Sequence, residues 1–284
     1  MGAKRKGELG YNAHMPELPE VETTRLGLEP HLAGRHITQV IVRCTRLRWP
    51  IPEHIEQTLT GQPVCGISRR AKYLLLHTPV GSALLHLGMS GHLRIVPSNT
   101  PLRAHDHVDI GLDNGHCVRF NDPRRFGCVL WQAAGQVHPL LSTLGVEPLD
   151  EAFNADYLYQ RSRKRNASIK AFLMDQRIVT GIGNIYAAES LFLAEIHPLR
   201  AASSLTHERY QALVNAIKTI LISAIARGGT TLRDFSHPDG TPGYFMQELW
   251  VYGRQGRNCF RCGNKLHHTR TYQRSVVWCG HCQK

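Results

Sequence analysis

Met15-Pro16-Glu17-Leu18-Pro19-Glu20-Val21-Glu22-Thr23 stands near the start of a 284-residue chain. A proline behind a methionine becomes a secondary amine once the methionine is removed, and such an amine is a nucleophile. Glu17 beside it is a candidate general acid, a role that needs a pKa raised by burial. The stretch also reads as a rigid lead-in to a helix over Glu20 to Leu32, with proline in the first turn and acidic residues at the positive end of the helix dipole.

Beyond this helix, Ile37 to about Gln132 reads as β-rich. Ile37 to Val42, Tyr73 to Leu76 and Ala83 to Leu87 have strand length and composition. Asp113-Asn114-Gly115, between Val108-Asp109-Ile110 and Val118-Arg119-Phe120, is a hairpin signal. A β-sandwich or flattened barrel with a packed helix follows. From about Pro148 the period becomes helical: Ile169, Phe172 and Leu173 share a face, and Leu213, Ile217, Ile220, Leu221 and Ala224 recur before Gly228-Gly229 closes that helix. The boundary is placed at Gly145 to Asp150, with a ligand cleft between the halves.

The formal charge of +12 suits a polyanionic partner, because phosphate contacts release counterions. No apolar run reaches the ~18 residues that span a bilayer. The first fourteen residues lack the apolar core of a secretory signal. The protein is therefore expected in the cytoplasm, where cysteines stay reduced. Cys259-x2-Cys262 and Cys279-x2-Cys282, separated by residues 263–278, have the spacing of two knuckles converging on one tetrahedral Zn2+. Four thiolates close the coordination sphere, so the ion would be structural. Two disulfides or unrelated thiols are the alternatives, and His267 and His268 are rival ligands that the presence of four cysteines leaves as surface groups. Cys44, Cys65, Cys117 and Cys128 lie scattered in apolar segments and are expected as buried thiols.

Several motifs occur together and in order: Pro16 to Thr23, Arg70 to Leu74, His86-Leu87-Gly88-Met89-Ser90-Gly91, Asp122-Pro123-Arg124-Arg125-Phe126-Gly127, Gly181-Ile182-Gly183-Asn184-Ile185-Tyr186-Ala187 and the cysteine hairpin. From Met15 to Lys284 the chain resembles bacterial formamidopyrimidine-DNA glycosylase. The resemblance implies an α+β multidomain protein: an N-terminal β-sandwich with a packed helix (16–147), a helix-two-turns-helix module with a lesion loop (148–250) and a zinc-finger hairpin (251–284). It implies excision of oxidised purines from duplex DNA through a Pro16 Schiff base, then strand cleavage on both sides of the sugar. The partner is double-stranded DNA carrying oxidised purines or abasic sites, and the protein is expected to be a nucleoid-associated monomer.

Roles carry over residue by residue. Pro16, Glu17, Lys72 and Arg274 carry over as catalytic: Lys72 contacts phosphate and assists elimination, and Arg274 grips phosphates flanking the lesion and takes part in the second elimination. Met89, Arg124 and Phe126 fill the hole left by an extruded nucleotide, whose lost stacking costs a few kcal/mol. Arg124 offers donors only, which suits an orphaned cytosine better than adenine. Lys170, placed away from the apolar face of its helix, is expected to be free for a phosphate. Asn184 opens a helix whose exposed N–H groups form an anion site. His105 and Arg165 are weaker phosphate candidates. The glycine-rich stretch from Gly228 to Tyr244 reads as a cover for the extruded base.

Residues 1–15 are a leader outside this pattern, expected to be absent from the active protein. With Met1 retained, the Pro16 nitrogen is a tertiary amide with a delocalised lone pair and cannot attack. Such a chain would bind DNA and cut nothing. Translation from Met15, or trimming, is the expectation. A glycosylase for oxidised pyrimidines is the other rival, but its usual opening has glycine where Leu18 stands.

Overall fold

A computed structural model describes residues 15–228 and 249–284. The leader before Met15 and the stretch from Gly229 to Tyr244 lie outside the described residues.

Helix α1 spans Leu18–Leu32, two residues longer at its start than the sequence suggests. Glu17 takes the cap position, and its own N–H donates to Glu20 Oε2 at 2.9 Å, satisfying one of the amides a helix start leaves open. Val21, Leu28 and Leu32 face the β core. The helix touches β2 on one side and α7 on the other, so it links the two halves of the chain.

The β half contains two four-stranded antiparallel sheets. Strands β1 (Ile37–Val42), β6 (Asp106–Leu112), β7 (His116–Asn121) and β5 (His92–Pro97) form one, in that order. Strands β2 (Gly66–Arg70), β3 (Tyr73–Thr78), β4 (Gly81–His86) and β8 (Cys128–Ala133) form the other. The strand alternation is direct: Leu74 and Leu76 enter the main core, while Leu75 packs outside with Leu84 and Leu141. Short helix α2 (Ile55–Leu59) packs beside β1, and α3 (Pro139–Ser142) sets Leu141 on the outer face of the second sheet, against Leu75 and Leu84. Asp113-Asn114-Gly115 turns β6 into β7, with Gly115 at φ +78°. Of the four scattered cysteines, Cys117 and Cys128 are buried as expected, but Cys65 is exposed and Cys44 half-buried. Cys44 and Cys65 fall in connections just outside strands, where apolar neighbours in sequence do not guarantee burial.

The helical half packs α4 (Ala155–Ser162), α5 (Ile169–Leu173), α6 (Asn184–Leu193) and α7 (His207–Ala226) around Leu158, Phe172, Leu173, Tyr186, Tyr210 and Leu213. Asn154, Ser168 and Thr206 cap three of these helices through their side chains. A hairpin of β9 (His267–Thr271) and β10 (Arg274–Trp278) follows, and a small third core joins it to α6 through Ala188, Phe192, Val251, Leu266 and Val277.

The halves are bolted together at Glu147. Its carboxylate accepts from Arg69 Nη1 at 2.6 Å, Arg70 Nη1 at 2.7 Å and the Ala71 N–H at 2.7 Å. Burial alone would raise its pKa, but Arg69 and these donors hold it below the usual carboxylate value. The bolt fixes the turn after β2, which carries Lys72.

Candidate active site

A cavity of about 270 Å3 opens where the β half, the helical half and the hairpin meet. Met15, Glu17, Lys72, Gly183, Asn184 and Arg274 are among its lining residues. Pro16 is buried at its edge, joined to the Met15 that forms part of the wall.

Glu17 is only 3 % exposed, and its carboxylate sits on the N-terminus of α6. It accepts from the amides of Gly183 at 2.7 Å, Ile185 at 2.9 Å and Tyr186 at 3.3 Å. The sequence pointed to an anion site at this helix start, and the structure shows that the anion is the chain's own glutamate. Gly183, not Asn184, is the cap, and Asn184 is the first helical residue. The glycines make the fit possible. A β-carbon on Gly183 would strike the Glu17 carboxyl, and one on Gly181 would strike the Leu18 side chain. The Leu18 N–H donates to Gly181 O at 3.0 Å, so the two motifs interlock as backbone and side chain together.

The electrostatics follow from burial. Desolvation pushes the Glu17 carboxyl up, and nearby Glu20 adds to this, while Lys72 and the backbone donors oppose. Lys72 occupies the two-residue turn between β2 and β3, after Ala71 at φ +55°. Desolvation pulls its ammonium down and Arg274 adds to the effect, against Glu17 and Glu20. Among the described residues no hydrogen-bond partner holds the Lys72 ammonium. A raised acid beside a lowered amine is the pairing expected where protons are exchanged near neutral pH.

Next to the cavity, two loops meet. The Ser90 hydroxyl donates to Asp122 Oδ1 at 2.7 Å, and the Gly127 N–H donates to Asp122 Oδ2 at 2.7 Å. Gly88, at φ +65°, lies directly on the backbone of Phe126 and Gly127, leaving no room for a side chain. Met89 is thereby carried beside Arg124 and Phe126. The Arg124 guanidinium lies 5.0 Å from the Phe126 ring, which is 44 % exposed. His105 is exposed on the adjoining turn, and its carbonyl accepts from the Asp122 N–H at 3.1 Å.

Comparison with known proteins gives this arrangement its family. The formamidopyrimidine-DNA glycosylase N-terminal domain matches residues 15–129, and the H2TH domain of the same enzymes matches residues 144–236. The chain belongs to the formamidopyrimidine-DNA glycosylase family. It is 65% identical over 270 residues to the formamidopyrimidine-DNA glycosylase of Stenotrophomonas maltophilia strain K279a, covering 95% of this chain and 100% of that one. The Xylella fastidiosa strain 9a5c enzyme is 60% identical over the same shares. Among solved structures, the Lactococcus lactis Fpg complex with abasic-site DNA superposes with a TM-score of 0.87 at 34% identity, over 94% of this chain and 99% of that one. Fpg (MutM) of Thermus thermophilus superposes at 0.84 with 36% identity, over 94% and 98%.

Set in the formamidopyrimidine-DNA glycosylase fold, one residue stands differently from its sequence expectation. Lys170 is buried, and its ammonium donates to Ser275 O at 2.8 Å, tying α5 to β10. Tertiary packing of the hairpin covers a face that looks free on an isolated helix. Desolvation lowers its pKa to about 8, with Arg274 adding to this and Glu17 opposing. Arg165 is exposed in the connection between α4 and α5 and does not line the cavity. Arg274 does line it, with Nη1 3.9 Å from Met174 Sδ.

The cavity also holds residues the sequence reading gave no role. His86 stands immediately before the Leu87-Gly88-Met89 loop, and its Nδ1 accepts from the Gly88 N–H at 2.9 Å. Desolvation, then Lys72 and Arg48, lower its pKa to about 4. It is therefore neutral with its proton on Nε2. Its place at the head of a loop motif was a usable signal. Tyr252 and Gln176 line the cavity without any comparable pattern in sequence.

The four cysteine sulfurs of the hairpin lie within 4.8 Å of one another. Cys262 and Cys279 are 3.4 Å apart and Cys259 and Cys282 4.0 Å. Tetrahedral metal–thiolate bonds of ~2.3 Å place sulfurs roughly 3.8 Å apart, so the set fits one metal ion. His267 stacks on Trp278 and His268 is exposed, so neither competes for it.

Proposed function

We propose that this protein is a base-excision-repair DNA glycosylase and abasic-site lyase that removes oxidised purines from duplex DNA. The observation that carries the reading is the buried Glu17 carboxyl, held by the α6 amides one residue after Pro16 in a cavity lined by Lys72 and Arg274. The Lactococcus lactis relatives are complexes with DNA containing Fapy-dG or an abasic site, which supports the substrate class.

In this reading the Pro16 amine attacks C1′ of the sugar and the C1′–base bond breaks, the electron pair leaving with the base, which takes up the proton that the Pro16 nitrogen sheds. Glu17 protonates the ring oxygen as the C1′–O4′ bond opens, leaving an iminium between Pro16 and the sugar. A secondary amine gives an iminium without a removable N–H, so the positive charge persists and acidifies the C2′ hydrogen. Loss of that proton expels the 3′ phosphate, and a second elimination expels the 5′ phosphate. Lys72 and Arg274 offset the charge of the departing phosphates. Met89, Arg124 and Phe126 occupy the space vacated by the extruded nucleotide, Asn184 and Lys170 shape the phosphate side, and His105 and Arg165 meet the backbone further out.

The chemistry requires an unblocked Pro16. Loss of Met15 would bare the nitrogen at the cavity wall that Met15 now forms, and the family match begins at residue 15. For the cysteine cluster we propose zinc, closed by four thiolates and so structural, which holds the hairpin and Arg274 in place. We propose the bacterial cytoplasm, at the nucleoid, as its compartment; no described helix is long and apolar enough to cross a membrane. The domain division proposed is 16–147, 148–250 and 251–284, in a monomer.

Borohydride trapping on duplex carrying 8-oxoguanine tests this reading. A chain starting at Pro16 is expected to give a covalent adduct, and one retaining Met15 to give none. Absence of an adduct from the Pro16 chain would overturn the mechanism.

A further inference from the structure

The turn between β9 and β10 is made of Tyr272 and Gln273, at φ +47° and +63°. A two-residue hairpin with both φ positive is ordinarily built from Asn-Gly or similar pairs, because a bulky side chain there is strained. Tyr272 is 85 % exposed, the largest value among the exposed large hydrophobic residues of the described chain. This tyrosine thus strains the backbone, and among the described residues little packs against it to offset the strain. Such conformations persist where the residue serves a site.

Its position says which site. Arg274, two residues on, lines the cavity, and Lys170 pins the neighbouring Ser275 carbonyl to α5. The tip is therefore held at the cavity mouth by the same contact that places Arg274. Arg270, opposite Ser275 in the hairpin register, is exposed, so the tip is flanked by cations. An exposed aromatic between arginines is the chemistry that stacks on or packs along a nucleic-acid strand.

We propose that Tyr272 is a DNA-contacting residue, packing its ring on the sugar–phosphate backbone of the strand beside the extruded nucleotide. This rests on the functional reading above. Binding of a duplex with a tetrahydrofuran abasic analogue, measured over a range of salt, and thermal melting test it with Tyr272→Gly and Tyr272→Phe. Glycine relieves the strained turn while removing the ring. The glycine variant is expected to melt no lower than the parent, bind at least fivefold more weakly, and keep the parent's salt dependence, since no cation is removed. The phenylalanine variant is expected within twofold of the parent. Binding of the glycine variant within twofold of the parent would overturn the proposal. So would a lower melting temperature with a shallower salt dependence, because the hairpin and Arg274 would then have moved. A phenylalanine variant as weak as the glycine one would overturn the ring contact. A parent protein that does not prefer the abasic duplex would instead strike the functional reading itself.

Discussion

Glu17 and Gly183 are 166 positions apart in sequence, yet the Gly183 N–H donates to Glu17 Oε2 at 2.7 Å and the glycine has no side chain because the carboxyl fills that space. The backbone of Gly183 sits at φ −119°, open to any residue, so the requirement is steric alone. Gly183→Ala is expected to push the carboxyl out of its amide nest. General acid catalysis is worth roughly 100-fold or more, so single-turnover base excision should fall by about that factor. Each amide left without an acceptor costs about 1–3 kcal/mol and three are affected, so the melting temperature should fall by roughly ten degrees. Full activity in this variant would refute the placement of Glu17.

Glu17 also predicts a pH signature. Its folded pKa lies above the ordinary value of 4.5, so its contribution to stability is complete below that pH and is lost as pH rises through the folded value. The melting temperature of the native protein minus that of Glu17→Gln should shrink as pH climbs from 4.5. A gap that stays constant from acid to neutral pH would contradict the burial argument.

His86 gives the opposite sign. Its pKa is depressed from 6.5 to about 4, so the stability it contributes is present above pH 6.5 and is lost as pH falls toward 4. Between pH 7 and pH 5 the loss is about 2 kcal/mol. In His86→Asn this acid-side loss should disappear, measured by denaturant unfolding at the two pH values. An unchanged loss would show that other groups carry it.

Metal removal should act locally. A lone two-stranded hairpin is marginal in water, so β9 and β10 depend on the cysteine cluster and the small core around Phe192 and Val277. Chelation, or Cys279→Ser, is expected to release one ion per chain and to weaken DNA binding tenfold or more while the β-sandwich still melts cooperatively. Elemental analysis and titration on abasic duplex check this; tight binding by metal-free protein would oppose it.

Arg124→Ala tests the reading of the opposite strand. The guanidinium is exposed beside Phe126, and a wrong-base contact costs about 1–3 kcal/mol. Excision opposite cytosine should lose roughly tenfold more than excision opposite adenine, measured by single-turnover rates on matched duplexes. Equal losses on both would show that Arg124 does not read the base.

Much of the architecture is written in local pattern. The Asp113-Asn114-Gly115 turn, the alternation through β3 and the helical period of α7 each depend on neighbours a few residues away, and each is found where the sequence places it. The cysteine spacing works the same way, since two short knuckles bring four sulfurs together. Strands β2, β5 and β8 were not individually legible, because paired strands settle their edges through partners distant in sequence.

The sequence by itself determined the chemical inventory: a proline behind a methionine and beside a carboxylate, a cationic turn, a cluster of four thiols and an apolar residue between two glycines. Tertiary structure alone decided what surrounds each of them. Glu17 occupies the helix start that looked open, because Gly181 and Gly183 lack side chains and a buried carboxylate needs those amides. Lys170 is covered rather than free, because the hairpin lies across α5 and offers it a carbonyl. Local pattern reports which groups a chain owns, whereas desolvation and hydrogen-bond partnership arise only when segments far apart in sequence are packed against one another.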